Sequence, residues 1–231
     1  MVMIRILSGY GRYADPWHPF AETSAGIASV AASLDHPTEV RDVTPDALGD
    51  LAEISVLVVN TGGGGPQAKF SPDPAWSEAF AAAEGWIRAG GRLLATHTGT
   101  NGFPDWPAFR QLLGGYWQPG VSMHPPRDEA RFTAEPEAHQ DRLLAGLPTI
   151  DDTPTVTAVD ERYSNLIMSD DAVVVLRHVL DGAPQPVVWR QRTAGLNIIV
   201  DALGHGPESY ESPSRRQLLA NELRELLTLD A

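Results

Sequence analysis

Residues 90–100 read Gly90-Gly91-Arg92-Leu93-Leu94-Ala95-Thr96-His97-Thr98-Gly99-Thr100 and join a helix to a strand and a loop. The glycine pair ends a predicted helix over Asp73–Ala89, whose apolar residues recur at helical spacing. The apolar run Arg92–Thr96 predicts a buried strand, and His97 lies where that strand turns into the loop. Another helix is predicted over Trp106–Leu113, so the region has the helix–strand–helix order of parallel β-α-β units.

The same alternation extends through the first half of the chain. Strands and helices of these lengths form parallel β-α-β units, which predicts an α/β fold with a doubly wound, mostly parallel sheet. The other elements predicted there are a strand over Val2–Leu7, a helix over Pro19–Leu34 and strands over Glu39–Val43 and Ile54–Asn60.

The second half is richer in strands. We expect it to form an antiparallel or mixed insertion that returns to the main sheet through Leu196–Leu203. No linker-like cluster of glycine or proline divides the chain, so residues 1–231 are expected to form a single domain. The other predicted strands are Ala130–Ala134, Thr153–Val159, Ala172–Val179 and Pro186–Arg190, and the predicted helices are His139–Leu144 and Ser214–Leu227.

The composition argues against several classes of function. The 231 residues include 17 Lys and Arg and 30 Asp and Glu, so the formal net charge is -13. Such a surface repels nucleic acid and anionic membranes, and no apolar run reaches the ~20 residues of a membrane span. No cysteine is present, which excludes disulfides, thiolate zinc sites and cysteine nucleophiles. We therefore expect a cytoplasmic enzyme or binding protein.

Histidines follow three of the predicted parallel strands. His18 comes after the first strand, His97 after Arg92–Thr96 and His205 after Leu196–Leu203. Because the carboxyl ends of parallel strands meet at one edge of a sheet, we expect these imidazoles to share a cleft. The alternative for His97 is a buried ring that only bonds a backbone carbonyl. The chain has no Gly-x-Ser-x-Gly motif, so a serine nucleophile of the α/β-hydrolase type has no candidate.

An ordered series of motifs follows residues 90–100. The series is Leu112-Leu113-Gly114-Gly115-Tyr116-Trp117, His124, Asp160-Glu161-Arg162-Tyr163, Pro186-Val187-Val188-Trp189 and Ala202-Leu203-Gly204-His205. In these motifs and their order the chain resembles the ThuA-like (trehalose utilisation) family, and the resemblance covers most of its length.

The resemblance implies a flavodoxin-like fold of the class I glutamine amidotransferase type and a role in carbohydrate catabolism. In amidotransferases a cysteine nucleophile lies on the turn after a central parallel strand, and a histidine follows the last strand. By resemblance, His97 falls at the cysteine position and His205 at the catalytic histidine, with Glu208 as a candidate third member. Without a thiol, glutamine hydrolysis by that route is excluded.

Imidazole and carboxylate side chains at such a site support two kinds of chemistry. Neutral imidazole is a good ligand for zinc and similar divalent metals, and the predicted metal ligands are His18, His97, His124 and His205. Without a metal, histidine and glutamate side chains would act as general acids and bases. In either case the predicted catalytic residues are His97, His205 and Glu161. The residues predicted to bind substrate are Tyr10, Trp17, His18, Thr98, Trp106, Asp160 and Tyr163.

Three hypotheses for the function stay open on the sequence. The first is an enzyme, metal-assisted or not, that acts as a hydrolase, lyase or isomerase on a trehalose-type disaccharide or a keto-sugar. The second is a non-catalytic sugar-binding or regulatory protein on an amidotransferase scaffold. The third is an interaction module in which the histidines have no role. The first two take a small carbohydrate as partner, and a homodimer is expected because small α/β proteins often pair about a two-fold axis.

Overall fold

A 10-stranded sheet organises the chain, of which this computed structural model describes residues 3–228. Val2, where the first predicted strand begins, lies outside the described residues. The strands are β1 (Ile4–Ser8), β2 (Thr38–Asp42), β3 (Val56–Asn60), β4 (Arg92–Thr96), β5 (Gly115–Tyr116), β6 (Asp128–Ala134), β7 (Thr149–Ile150), β8 (Thr153–Asp160), β9 (Ile167–Met168), β10 (Ala172–Leu180), β11 (Ala183–Gln191) and β12 (Asn197–Asp201). The α-helices are α1 (Phe20–Ala32), α2 (Pro45–Gly49), α3 (Pro74–Arg88), α4 (Pro107–Leu113) and α5 (Pro213–Thr228).

Half of the sheet is parallel, with the strand order β2-β1-β3-β4-β12. This is the flavodoxin-like order, so the predicted doubly wound sheet is confirmed. β1 and β3 are buried along their whole length, as expected for central parallel strands that are covered on both faces. Within the described part of the chain, no helix has the length and apolar character needed to cross a bilayer.

Side-chain caps fix the ends of several helices. The Asp73 carboxylate caps the N-terminus of α3. The sequence analysis does not predict α2, because a helix of 5 residues is too short to show helical periodicity. The single helix predicted over His139–Leu144 is wrong. Two short 3-10 turns, Pro136–Ala138 and Arg142–Leu144, lie in this region, because Asp141 caps a new turn there with its side chain.

The antiparallel half extends the same sheet in the order β12-β11-β10-β6-β8-β7. The strand-rich second half therefore returns to the parallel strands through β12, as predicted. In a flat sheet β12 and β8 would lie about 19 Å apart, given ~4.8 Å for each strand spacing. The Asp160 carboxylate at the end of β8 nevertheless accepts a hydrogen bond of 2.8 Å from Gly204 N, just after β12. The antiparallel half therefore curves back, helped by register shifts around Leu176 in β10.

The turn after β4 is strained and closely packed. His97 has a φ of 44°, in the left-handed region that residues with side chains rarely adopt. Gly99 lies so close to β3 that an added Cβ would be 2.7 Å from the Val59 carbonyl oxygen. The turn therefore requires glycine at position 99. The turn also holds the His97 ring at the carboxyl edge of the sheet.

The close approach of Gly99 to β3 can be tested by substitution. Gly99→Ala is expected to lower the free energy of unfolding by about 1–3 kcal/mol, because the methyl group must displace β3 backbone. Gly85→Ala in α3 is the matched control, since nothing lies within 4 Å of its Cβ position; it should stabilise the protein by about 0.5–1 kcal/mol. Urea unfolding measures both changes. A Gly99→Ala midpoint equal to that of the parent chain would contradict this packing.

Candidate active site

Three imidazoles and one carboxylate converge above the carboxyl edge of the parallel strands. His18 follows β1, His97 follows β4 and His205 follows β12, while Glu161 comes directly after β8. The ring centroid of His18 lies 5.1 Å from that of His97 and 4.8 Å from that of His205. One potential ligand atom from each of the four residues lies within 4.8 Å of the others. We call these four residues the His/Glu cluster.

The hydrogen bonds of His97 determine which of its ring nitrogens faces the cluster. Its Nδ1 lies 3.0 Å from the carbonyl oxygen of Ala202, which can only accept a hydrogen bond, so Nδ1 carries the proton. Its Nε2 lies 3.1 Å from the Tyr163 hydroxyl and 3.5 Å from Glu161 Oε2. The second nitrogen of this buried ring therefore faces Tyr163 and Glu161.

Asp15 orients His18 in the same sense. The carboxylate oxygen of Asp15 lies 2.7 Å from His18 Nδ1 and also accepts hydrogen bonds from the backbone nitrogens of Trp17 and His18. This leaves His18 Nε2 free for the cluster, in the arrangement that orients histidine ligands in metal sites. Burial lowers the pKa of His18 below its usual value, although the neighbouring Asp15 carboxylate opposes this effect. His18 is therefore neutral, with a lone pair available, near neutral pH.

Glu161 lies between the histidine rings. Its Oε1 is 3.2 Å from His205 Nδ1, at angles that do not fit a hydrogen bond. His205 Nδ1 is buried and has no hydrogen-bond partner among the described residues. Burial favours a higher pKa for Glu161, but its interactions with His205 and His97 outweigh this and hold the pKa well below its usual value. Glu161 is therefore an ionised carboxylate beside an imidazole nitrogen that lacks a partner.

Asp160 supports the cluster from below. Its fully buried carboxylate accepts hydrogen bonds from the backbone nitrogens of Glu161, Gly204 and His205, and from the Ser209 hydroxyl at 2.6 Å. The sequence analysis predicts Asp160 as a substrate-binding residue. In the structure its oxygens are engaged by protein donors, and it positions Glu161 and His205 instead.

A cavity of about 470 Å³ opens above the His/Glu cluster, and His97 lies beneath it, 2% exposed. Asp15 and Asn101 line this cavity although the sequence analysis does not predict them. Trp117, from the motif at residues 112–117, lines it as well. Asp15 had a recognisable signal, because an aspartate shortly before a turn often accepts hydrogen bonds from the next backbone nitrogens. The predicted residues that line the cavity are Trp17, His18, Thr98, His124, Glu161, Tyr163 and His205.

Two residues predicted to bind substrate lie elsewhere. Tyr10 lines a separate surface groove together with Arg12 and Trp76. Trp106 is 5% exposed, and its ring stacks on Phe80 with centroids 5.0 Å apart. Both follow a strand of the parallel sheet, but the chain carries Tyr10 away from the cleft and packs Trp106 into the apolar core.

His124, predicted as a metal ligand, lies at the rim of the cavity. Its Nδ1 is 3.0 Å from the carbonyl oxygen of Pro125 and 3.6 Å from Glu161 Oε1. It is outside the group whose ligand atoms lie together, and Glu161 takes the fourth place. The reason is the curvature of the antiparallel half, which brings the end of β8 over the cluster.

The hydrogen bonds to Asp160 predict a large effect on stability. Asp160→Asn is expected to destabilise the protein by about 3 kcal/mol, because an amide NH₂ would face donors that now meet a carboxylate oxygen. Asp128→Asn is the control; among residues 3–228 that exposed carboxylate forms an ion pair only with Arg162, so its loss should cost no more than about 1 kcal/mol. Urea unfolding at pH 7 compares the two. Similar midpoints for both variants would mean that Asp160 does not hold the strand ends together.

A family of known proteins matches the part of the chain that contains the His/Glu cluster. Residues 17–224 match the family model ThuA, described as trehalose utilisation. A search of curated protein sequences finds no match. The matched range includes every member of the His/Glu cluster.

Solved structures share the fold at low sequence identity. A ThuA-like protein from Bacteroides uniformis is 17% identical, with a TM-score of 0.71, 99% of this chain covered and 91% of that chain. A ThuA-like protein from Parabacteroides merdae is 14% identical, with a TM-score of 0.76 and coverage of 98% and 90%. A glutamine amidotransferase from Methylobacillus flagellatus is 14% identical, with a TM-score of 0.51 and coverage of 98% and 93%. At these identities the likeness extends to the fold alone, and it confirms the predicted amidotransferase-like architecture.

Proposed function

Because the chain belongs to the ThuA family of trehalose utilisation, we propose that it is an enzyme of carbohydrate catabolism whose His/Glu cluster holds a divalent metal, zinc. The proposed substrate is a trehalose-type disaccharide or a keto-sugar. The chain has no cysteine, so amidotransferase chemistry through a thiol is not part of this proposal. A cytoplasmic location and a homodimer stay predictions from the sequence.

One observation carries the proposal: the imidazoles are oriented in advance towards a common point. Asp15 and the Ala202 carbonyl each accept a hydrogen bond from the Nδ1 of a histidine and so turn its Nε2 towards the cluster. The buried His205 Nδ1 has no hydrogen-bond partner among the described residues, which is costly unless another group satisfies it. Three imidazoles are a ligand set that suits a catalytic zinc ion and leaves one position open. A zinc ion bound there would supply a Lewis acid that polarises a substrate oxygen.

The chain's own residues then have separate roles. His18, His97 and His205 would hold the ion, and Glu161 would accept a proton beside it, because it is ionised and reachable from the cavity. The Thr98 hydroxyl is buried, lines the cavity and has no hydrogen-bond partner in the described chain. It is therefore available to a hydroxyl or carbonyl group of the substrate.

The metal part of the proposal can be tested without a substrate. Metal-free protein is expected to bind about one zinc ion per chain, and His97→Ala and His205→Ala should each weaken binding by about 100-fold, since each removes an imidazole. His139→Ala is the control, because this exposed histidine lies outside the cluster. Isothermal titration with zinc gives affinity and stoichiometry. Binding that all three variants retain would remove the cluster as the metal site.

The catalytic part of the proposal is tested with a panel of sugars. Trehalose, other glucose disaccharides and their keto forms are incubated with the zinc-loaded protein and with chelator-treated protein, and products are followed by chromatography. At least one sugar is expected to be converted about 100-fold faster with zinc, and Glu161→Gln should lower that rate about 100-fold. Equal rates with zinc and with chelator would instead support metal-free acid–base catalysis.

A second candidate is a sugar-binding or regulatory protein without turnover. The observation that favours it is the absence of cysteine from the whole chain, with His97 on the strained turn after β4. It predicts that sugars raise the unfolding temperature while no member of the panel is converted. The same panel therefore separates the two candidates.

A further inference from the structure

Trp17 is an exposed aromatic residue on the wall of the cavity. It is 57% exposed and lines the cavity together with His18. Among the described residues, no aromatic ring packs against its indole, and only its backbone nitrogen takes part in a hydrogen bond. An indole left open to solvent beside a polar cluster offers a large apolar face to a ligand.

The backbone at Trp17 is held in place relative to the cluster. Asp15 accepts hydrogen bonds from the backbone nitrogens of both Trp17 and His18, and the same carboxylate orients the His18 ring. Pro16 and Pro19 flank the segment and restrict its backbone. One carboxylate therefore holds both the backbone that carries the indole and the proposed metal ligand His18.

The inner wall of the cavity is aromatic as well. The ring centroids of Trp117 and Tyr163 lie 4.5 Å apart, and both residues line the cavity. Sugar rings carry C–H faces that pack on aromatic surfaces, while their hydroxyls bond polar groups. The cavity of about 470 Å³ is larger than one sugar ring requires, and Trp17 lines it beside the polar side chains of Asp15 and His18.

We propose that Trp17 is the platform for the second ring of the substrate, so that this site prefers two-ring glycosides to free monosaccharides. The inference rests on the proposed function and extends it to the substrate class. The reacting ring lies over the His/Glu cluster, and the ring across the glycosidic bond packs on the exposed indole face.

The test compares disaccharide and glucose binding in matched variants. Zinc-loaded protein is titrated calorimetrically with trehalose, other glucose disaccharides and glucose. The parent chain should bind at least one disaccharide about 10-fold more tightly than glucose, and Trp17→Ala should abolish this preference while leaving glucose affinity unchanged. Trp17→Phe, which keeps an aromatic face, should restore part of it. Tyr10→Ala is the control: it is equally exposed, at 57%, but lies in the separate groove.

Each outcome decides between the two proposals. Loss of the preference in Trp17→Ala with zinc stoichiometry intact supports the platform. A preference that survives in Trp17→Ala, or that is absent from the parent chain, overturns it. Failure of the parent chain to bind zinc counts against the proposed metal centre instead, and that measurement is made on the same samples before any sugar is added.

Discussion

The site depends on the hydrogen bonds that the buried carboxylate of Asp160 accepts. Asp160 ends β8 in the antiparallel half of the sheet and accepts hydrogen bonds from the backbone of Gly204 and His205, which follow β12. Charge-assisted hydrogen bonds of this kind are strong when they are buried. Through them the curved antiparallel half is held against the parallel half, and Glu161 is placed among histidines that come from other strands.

The sequence predicts the parallel sheet and the place of His18, His97 and His205, because both depend on local patterns. Apolar runs mark the strands, and parallel strands present their carboxyl ends at one edge. It does not predict that Glu161 rather than His124 completes the cluster. That choice depends on the curvature of the antiparallel half, which arises from bulges and from contacts distant in sequence.

The roles of Asp160 and Trp106 escape sequence analysis for a related reason. An acidic residue at a strand end is usually solvated, and a tryptophan after a strand could face either a cleft or the core. Only the folded chain gives Asp160 its buried donors and stacks Trp106 on Phe80. Asn101 lines the cavity because of loop packing that no periodicity records.

The four side chains of the His/Glu cluster come from segments that are far apart along the chain, from His18 to His205. Such a centre is complete only after β12 has joined the sheet, so it is among the last features to form during synthesis and folding. Closing long loops is slow because their entropy is lost before the distant contacts are gained. A metal that recognises only the completed arrangement binds after the folding step and pulls the equilibrium towards the native state by mass action.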